Sequence, residues 1–202
     1  SGGGGFQQPI SYVAFMLGYD GTYQAETAQL QFNFTANFAP RGLGNKEEEF
    51  ALRRDAAKPN YAYVRSDLKY TQKLPYDWAV QARVSGQLAN DPLIGVEQFT
   101  LGGVDSVRGY LESNELGDNG VFTSVELRTP PFKKFIKNKS FADYIKDFYA
   151  FSFFDAGYSH LYNPGGDETS SNISSAGVGL KLKTTKGLFT NLDYAYAFKD
   201  SG

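Results

Sequence analysis

A chain of 202 residues that is 41% hydrophobic and 16% aromatic can bury one large core, and its aromatic bias, with 22 glycines, favours β structure. A formal net charge of −2 and a pI of about 5.5 leave no electrostatic footprint for nucleic acid. The lack of cysteine excludes disulfides, zinc ribbons and thiol nucleophiles, and the single histidine, His160, argues against a Ser–His–Asp triad or a multi-histidine metal site.

In chain order, Ser1–Gly5 is a serine followed by four glycines and reads as a flexible linker or cloning scar outside the fold. Residues 6–202 read as one all-β unit. Period-two alternation starts near Tyr12–Tyr19, and a short turn is expected at Asp20–Gly21. From Gln29 to Phe38, Leu30, Phe32, Phe34, Ala36 and Phe38 share one face and Gln29, Gln31, Asn33, Thr35 and Asn37 the other. A long connection follows at Pro40–Asn60. Strands are expected at Ala62–Tyr70 and Trp78–Leu88, joined by a short turn at Lys73–Asp77. After the long connection Ala89–Gly120 come strands at Val121–Arg128 and Phe148–Tyr158. A long connection at Ser159–Ser174, a strand at Ser175–Lys183, a turn at Thr184–Gly187 and a last strand at Leu188–Phe198 complete the series.

That makes about eight long antiparallel strands whose connections alternate between short and long. Long loops then collect at one end and most short turns at the other, as in an outer-membrane barrel. Thr129–Asp147 breaks the pattern. It is long but falls at the short-turn end, where Phe135, Ile136, Phe141, Tyr144 and Ile145 are expected to form a small amphipathic helix at the membrane edge. No apolar run approaches the ~18 residues of a membrane helix, but a membrane strand needs only ~9–11. A soluble β-sandwich or ligand-binding barrel would show the same alternation with its apolar face inward. Full charges on the polar face (Arg65, Asp67, Lys69, Arg83, Glu126, Lys181, Asp193) and aromatics near strand ends (Tyr19, Phe38, Tyr70, Trp78, Tyr196, Phe198) favour the membrane version.

The stretch Leu101–Tyr110, LGGVDSVRGY, sets one arginine, Arg108, between Val107 and Gly109, with Tyr110 after it. Its glycine pair frees the backbone, and an arginine so flanked calls for a carboxylate partner. Further on, Phe153, Asp155 and Gly157 form FFDAG, with Asp155 on the same strand face as Phe151 and Phe153. The two segments resemble the loop and strand signatures of the outer-membrane protein assembly and secretion superfamily. RGLGN at Arg41–Asn45 with the acidic Glu47–Glu49, and VELRTPP at Val125–Pro131, resemble its two-partner secretion transporters of the haemolysin secretion/activation type.

The resemblance implies a transmembrane β-barrel in the bacterial outer membrane whose loop folds back into the lumen, where Arg108 pairs with Asp155. Val107, Gly109, Tyr110, Phe153 and Gly157 would support that pair. It implies a transporter, not an enzyme, that passes a large exoprotein without nucleotide. Its partners would be outer-membrane lipid and the exoprotein. The alternatives are an insertase of the same superfamily and a soluble ligand-binding barrel. No cofactor is expected. Three departures stand out. Periplasmic transport-associated domains are missing, about twice as many strands are expected, and the chain stops at Lys199–Gly202 before a final aromatic-ended strand. It therefore reads as the C-terminal half of a barrel without its last strand, either cut from something longer or mature, and unable to close alone. Glu47–Glu49 reads as a solvated loop and Asp118–Asn119–Gly120 as a turn. The cluster Lys133, Lys134, Lys137 and Lys139 either meets anionic headgroups or is a solvated connection.

Overall fold

The computed structural model describes residues 12–40, 47–51, 54, 57–166 and 168–199. In chain order these form β1 (Phe15–Gln24), β2 (Ala28–Ala39), the short helix α1 (Glu47–Ala51), β3 (Tyr61–Lys73), β4 (Ala79–Ala89), β5 (Phe99–Leu101) and β6 (Glu115–Gly117). β7 (Asn119–Arg128), the helix α2 (Lys139–Tyr144), β8 (Ile145–His160), β9 (Ser170–Thr184) and β10 (Phe189–Ala197) follow. Eight strands make one antiparallel sheet in the order β1-β2-β3-β4-β7-β8-β9-β10, with β1 and β10 at its edges. The short strands β5 and β6 pair only with each other, inside the long connection between β4 and β7.

The pleat sorts side chains onto two faces of opposite character. Leu17, Val84, Val125, Phe154, Val178, Leu192 and Tyr194 all stand exposed on one face. Arg65, Asp67, Arg83, Glu126, Asp155 and Lys181 line the other, joined by hydrogen bonds and ion pairs. An apolar surface spread over eight strands far exceeds the roughly 300–600 Å² patches of soluble monomers. Hydrocarbon is the environment that covers it at no cost. This facing overturns the soluble ligand-binding barrel, which needs its apolar side chains inside. Strands of 9 to 16 residues are long enough to span a membrane.

Two small cores lie on the polar side. At the long-connection end, Phe50, Tyr61, Tyr63, Leu93 and Ile94 pack together with Tyr12. Deeper in, Leu101, Val107, Tyr110, Phe122 and Ile173 form a second cluster that joins the β5–β6 insertion to the sheet wall.

Several expectations need correction. No turn occurs at Asp20–Gly21. β1 runs through both residues in register with β2, and the turn closes at residues 25–27 through the Ala25 N–H to Ala28 carbonyl bond of 2.8 Å. Gly21 is there for packing. The Phe32 ring lies over it, and a Cβ would fall 2.5 Å from that ring. Tyr12 precedes β1 and joins the loop core instead of a strand. The connection 129–147 holds two short helices, a 3-10 turn at Phe132–Phe135 and α2, capped by Asn138, which accepts the Phe141 N–H. Ile145 starts β8 and is buried. Glu47–Glu49 opens α1 instead of forming a loop. Asp118–Asn119–Gly120 is not a free turn, because Asn119 and Gly120 begin β7 and Asp118 is fully buried. Ser1–Gly5 and Arg41–Asn45 lie outside the described residues.

Candidate functional site: an arginine seated in the lumen

Strands β5 and β6 form a narrow neck that carries residues 102–114 across the polar face of the sheet. Gly102 and Gly109 turn the chain at φ of +101° and +92°, which L side chains rarely adopt. The loop closes on itself through the Gly103 N–H, which donates to the Tyr110 carbonyl. Its apex presents Arg108, only 8% exposed, to the inner wall.

On that wall β7 and β8 pair so that Ser124 faces Asp155 and Glu126 faces Phe153. Arg108 Nε and Nη2 donate to the two Asp155 carboxylate oxygens at 2.7 and 2.9 Å. Nη1 donates to Glu126 Oε1 at 2.9 Å and Nη2 also to Ser124 Oγ at 3.3 Å. The backbone N–H of Arg108 adds a further bond to Asp155 Oδ2 at 3.2 Å, and Ser124 Oγ donates to Oδ1 at 2.6 Å. The guanidinium carbon lies over Phe153, 3.5 Å from the ring centroid. Asp155 is wholly buried. A fork of donors facing a buried carboxylate, capped by an aromatic face, offsets the desolvation that would otherwise expel both charges.

Each of the other sequence-selected residues has a contact here. Val107 fills the second core, and Gly157 leaves the space it needs. A Cβ on Gly157 would come within 2.7 Å of Leu101 and 3.1 Å of Val107. Gly109 passes close to β10, where a Cβ would meet Ala195 at 3.1 Å. The Tyr110 hydroxyl donates to the Ser174 carbonyl at 3.0 Å and accepts the Lys199 N–H at 3.1 Å. The opposite flank is tied to β4 by Arg83, which donates to the Asp105 carbonyl and pairs with Asp67.

Sequence reasoning missed Glu126 as a member of this site. It also receives Arg128 at 2.8 Å and Lys181 at 3.4 Å, so one carboxylate is shared by three cations. Strand parity with Asp155 was the available signal. A second buried ion pair was missed as well. Arg54 donates to both oxygens of Asp118, at 2.5 and 2.8 Å, and to the carbonyls of Leu93 and Tyr162. Asp118 also accepts the N–H groups of Leu93 and Tyr162. One ion pair thus ties three long connections together at the loop end. Nearby, Glu97 accepts the hydroxyls of Tyr12, Tyr61 and Tyr63. Burial pushes its carboxyl up, but the hydrogen bonds from Tyr12, Tyr63 and Tyr61 and the charge of Arg65 outweigh that and hold it below the ordinary glutamate value. The lysine cluster at 133–139 lies at the short-turn end, apart from all of these.

No curated protein sequence matches the chain. Among solved structures, CdiB from Escherichia coli is similar at a TM-score of 0.66 and 20% identity, over 92% of this chain and 36% of that one. BamA from Haemophilus ducreyi lacking POTRA domains 1–3 is similar at a TM-score of 0.65 and 17% identity, over 93% of this chain and 38% of that one. The chain thus spans little more than a third of the length of either, and at these identities the likeness establishes the barrel fold. The sequence pattern of the haemolysin secretion/activation proteins matches residues 8–182. With one apolar and one charged face on its sheet, and matching that pattern over most of its length, the chain belongs to the haemolysin secretion/activation (ShlB/FhaC/HecB) family of outer-membrane β-barrel proteins.

Proposed function

We propose that the chain is the lumen-forming part of a two-partner secretion transporter, which passes a large exoprotein through the outer membrane without nucleotide. The loop seated by Arg108 shapes the passage. The observation that carries this reading is the loop itself. Residues 102–114 lie against the polar wall, held by Arg108 on β7 and β8, by Asp105 on β4 and by Tyr110 on β9. The charged, water-compatible wall beside it suits an extended polypeptide, whose backbone exchanges hydrogen bonds with water and side chains without dwelling at any site. Cargo folding outside the cell supplies the direction. The protein acts by conducting and positioning, with no catalytic step. Periplasmic transport-associated domains would deliver the cargo to the lumen.

The test is secretion of the partner exoprotein by cells carrying the full-length protein. Arg108→Ala is expected to abolish most secretion. Arg108→Lys should retain little, since a point charge cannot make the two-pronged bond. Exchanging the pair, as Arg108→Asp with Asp155→Arg, should restore part of it. Wild-type secretion by a folded Arg108→Ala barrel would overturn the proposal. Unchanged secretion with falling levels of other barrel proteins would point to an insertase.

A further inference from the structure

We propose that the outward face of β8 near the short-turn end is a binding site for one anionic phospholipid of the inner leaflet. The inference rests on the membrane placement of the sheet, with short turns facing the periplasm, and not on the secretion activity.

The first observation is a trough of about 710 Å³ on the lipid-facing side. Its floor is Ala150 and Ser152 of β8, and its walls are Leu127 of β7, Leu180 of β9 and Leu192 of β10, with Trp78 at its border. The register explains the depression. Ser152 lies opposite Leu127, and Ala150 lies opposite Leu180, which in turn faces Leu192. Ser152 sits between Leu127 and Val178 and Ala150 beside Leu180, so two small side chains lie among larger apolar ones, and the lining of the trough is almost wholly apolar. An acyl chain fits it where a rigid side chain would not reach.

The second observation is the charge at the mouth of the trough. Thr129 lines the trough and opens the connection 129–147. With the adjoining turns 74–78 and 184–188, that connection carries six lysines against three aspartates. Lys134 is paired with Asp77, whereas Lys133, Lys137 and Lys139 form no ion pair among the described residues. Phe132 packs edge-on against Phe148 at 5.1 Å, which holds the lysine-bearing segment against β8. Phe135, Phe141 and Tyr144 stand exposed beside the lysines. Exposed aromatics beside lysines at the end of a membrane strand mark the headgroup level. A net positive mouth above an apolar channel complements a phosphate headgroup with its tail. It selects an anionic lipid, because a zwitterionic headgroup brings no net charge to the lysines.

The test uses purified full-length protein in detergent, supplied with equal amounts of phosphatidylglycerol and phosphatidylcholine of the same chain length, with retained lipid counted by native mass spectrometry. The wild-type protein is expected to retain phosphatidylglycerol about tenfold over phosphatidylcholine, the weight of one or two lysines beside an anionic headgroup. The exposed triple variant Lys133→Gln, Lys137→Gln, Lys139→Gln should lose that preference. Ser152→Leu, and separately Ala150→Leu, should lower retention of both lipids by filling the trough. Heat-dependent gel mobility confirms that each barrel is folded. Equal retention of the two lipids by the wild type, or a preference surviving in the lysine variant, overturns the proposal and leaves a protein partner or solvent against the patch. Retention unchanged by both trough variants overturns its acyl half. The readout is lipid mass, so a transporter reading that fails elsewhere leaves this result standing.

Discussion

Replacing Arg108 with alanine removes the two bonds to Asp155, the bond to Glu126, the longer bond to Ser124 and the stack on Phe153. The damage is uneven. Glu126 keeps Arg128 and Lys181. Among the described residues, Asp155, with no exposure at all, keeps only the Ser124 hydroxyl and the N–H of residue 108. Breaking one side of a buried pair costs ~3–5 kcal/mol, and two surviving donors place the expected loss near the lower bound, about 3 kcal/mol. Urea unfolding of the full-length protein in detergent, followed by tryptophan emission to which Trp78 contributes, measures it. The cause is isolated by a double-mutant cycle with Asp155→Asn, which removes the stranded charge. Arg108→Ala should cost about 2 kcal/mol less in that background. Additivity within ~0.5 kcal/mol would mean that the charge pair is not what holds the loop, and would refute the reasoning.

Val84→Arg, on the lipid face opposite Leu68 and Thr123, should destabilise the inserted barrel by ~2–4 kcal/mol, while Asn33→Arg, on the lumen face opposite Asp67, should be tolerated; equal costs would reverse the facing. Gly157→Ala drives a Cβ into Leu101 and Val107 and should cost ~1–3 kcal/mol by overpacking, with Leu101→Ala in the same chain recovering part of it in the same urea assay. Glu97 titrates below its ordinary value of about 4.3, so its tyrosine clasp stabilises the fold above that value and is lost as pH falls through the depressed one. Proteolysis of residues 90–98 should therefore accelerate at strongly acidic pH in the native protein, and Glu97→Gln should flatten the dependence.

How much of this was legible in the sequence follows from the two solvents. A strand between lipid and water must alternate strongly, so Leu30 to Phe38 and Val121 to Arg128 announce both element and facing. Gly21 misleads because a glycine beneath an aromatic ring looks, in one dimension, like a turn. The loop neck shows no periodicity, since β5 and β6 are three residues each. The Arg54–Asp118 pair joins residues 64 positions apart through irregular segments, and no local pattern marks either partner. Asp118 sits before Asn119 and Gly120 and therefore resembles a turn. Burial alone reveals it as a hub. The link between Arg108 and Asp155 was readable only because two short motifs resemble a known family. Glu126, on the neighbouring strand and the same face, lies inside the VELRTPP stretch, but that motif by itself names no partner for its carboxylate.

The central claim is that the loop apex sits against the inner wall and is kept there by Arg108. In a full-length protein freed of other cysteines, one introduced cysteine can report on it. Val107 is fully buried beneath the apex. In the full-length protein, Val107→Cys should resist a membrane-impermeant maleimide and label rapidly once Arg108→Ala is added. Rapid labelling of Val107→Cys with Arg108 intact would contradict a seated loop.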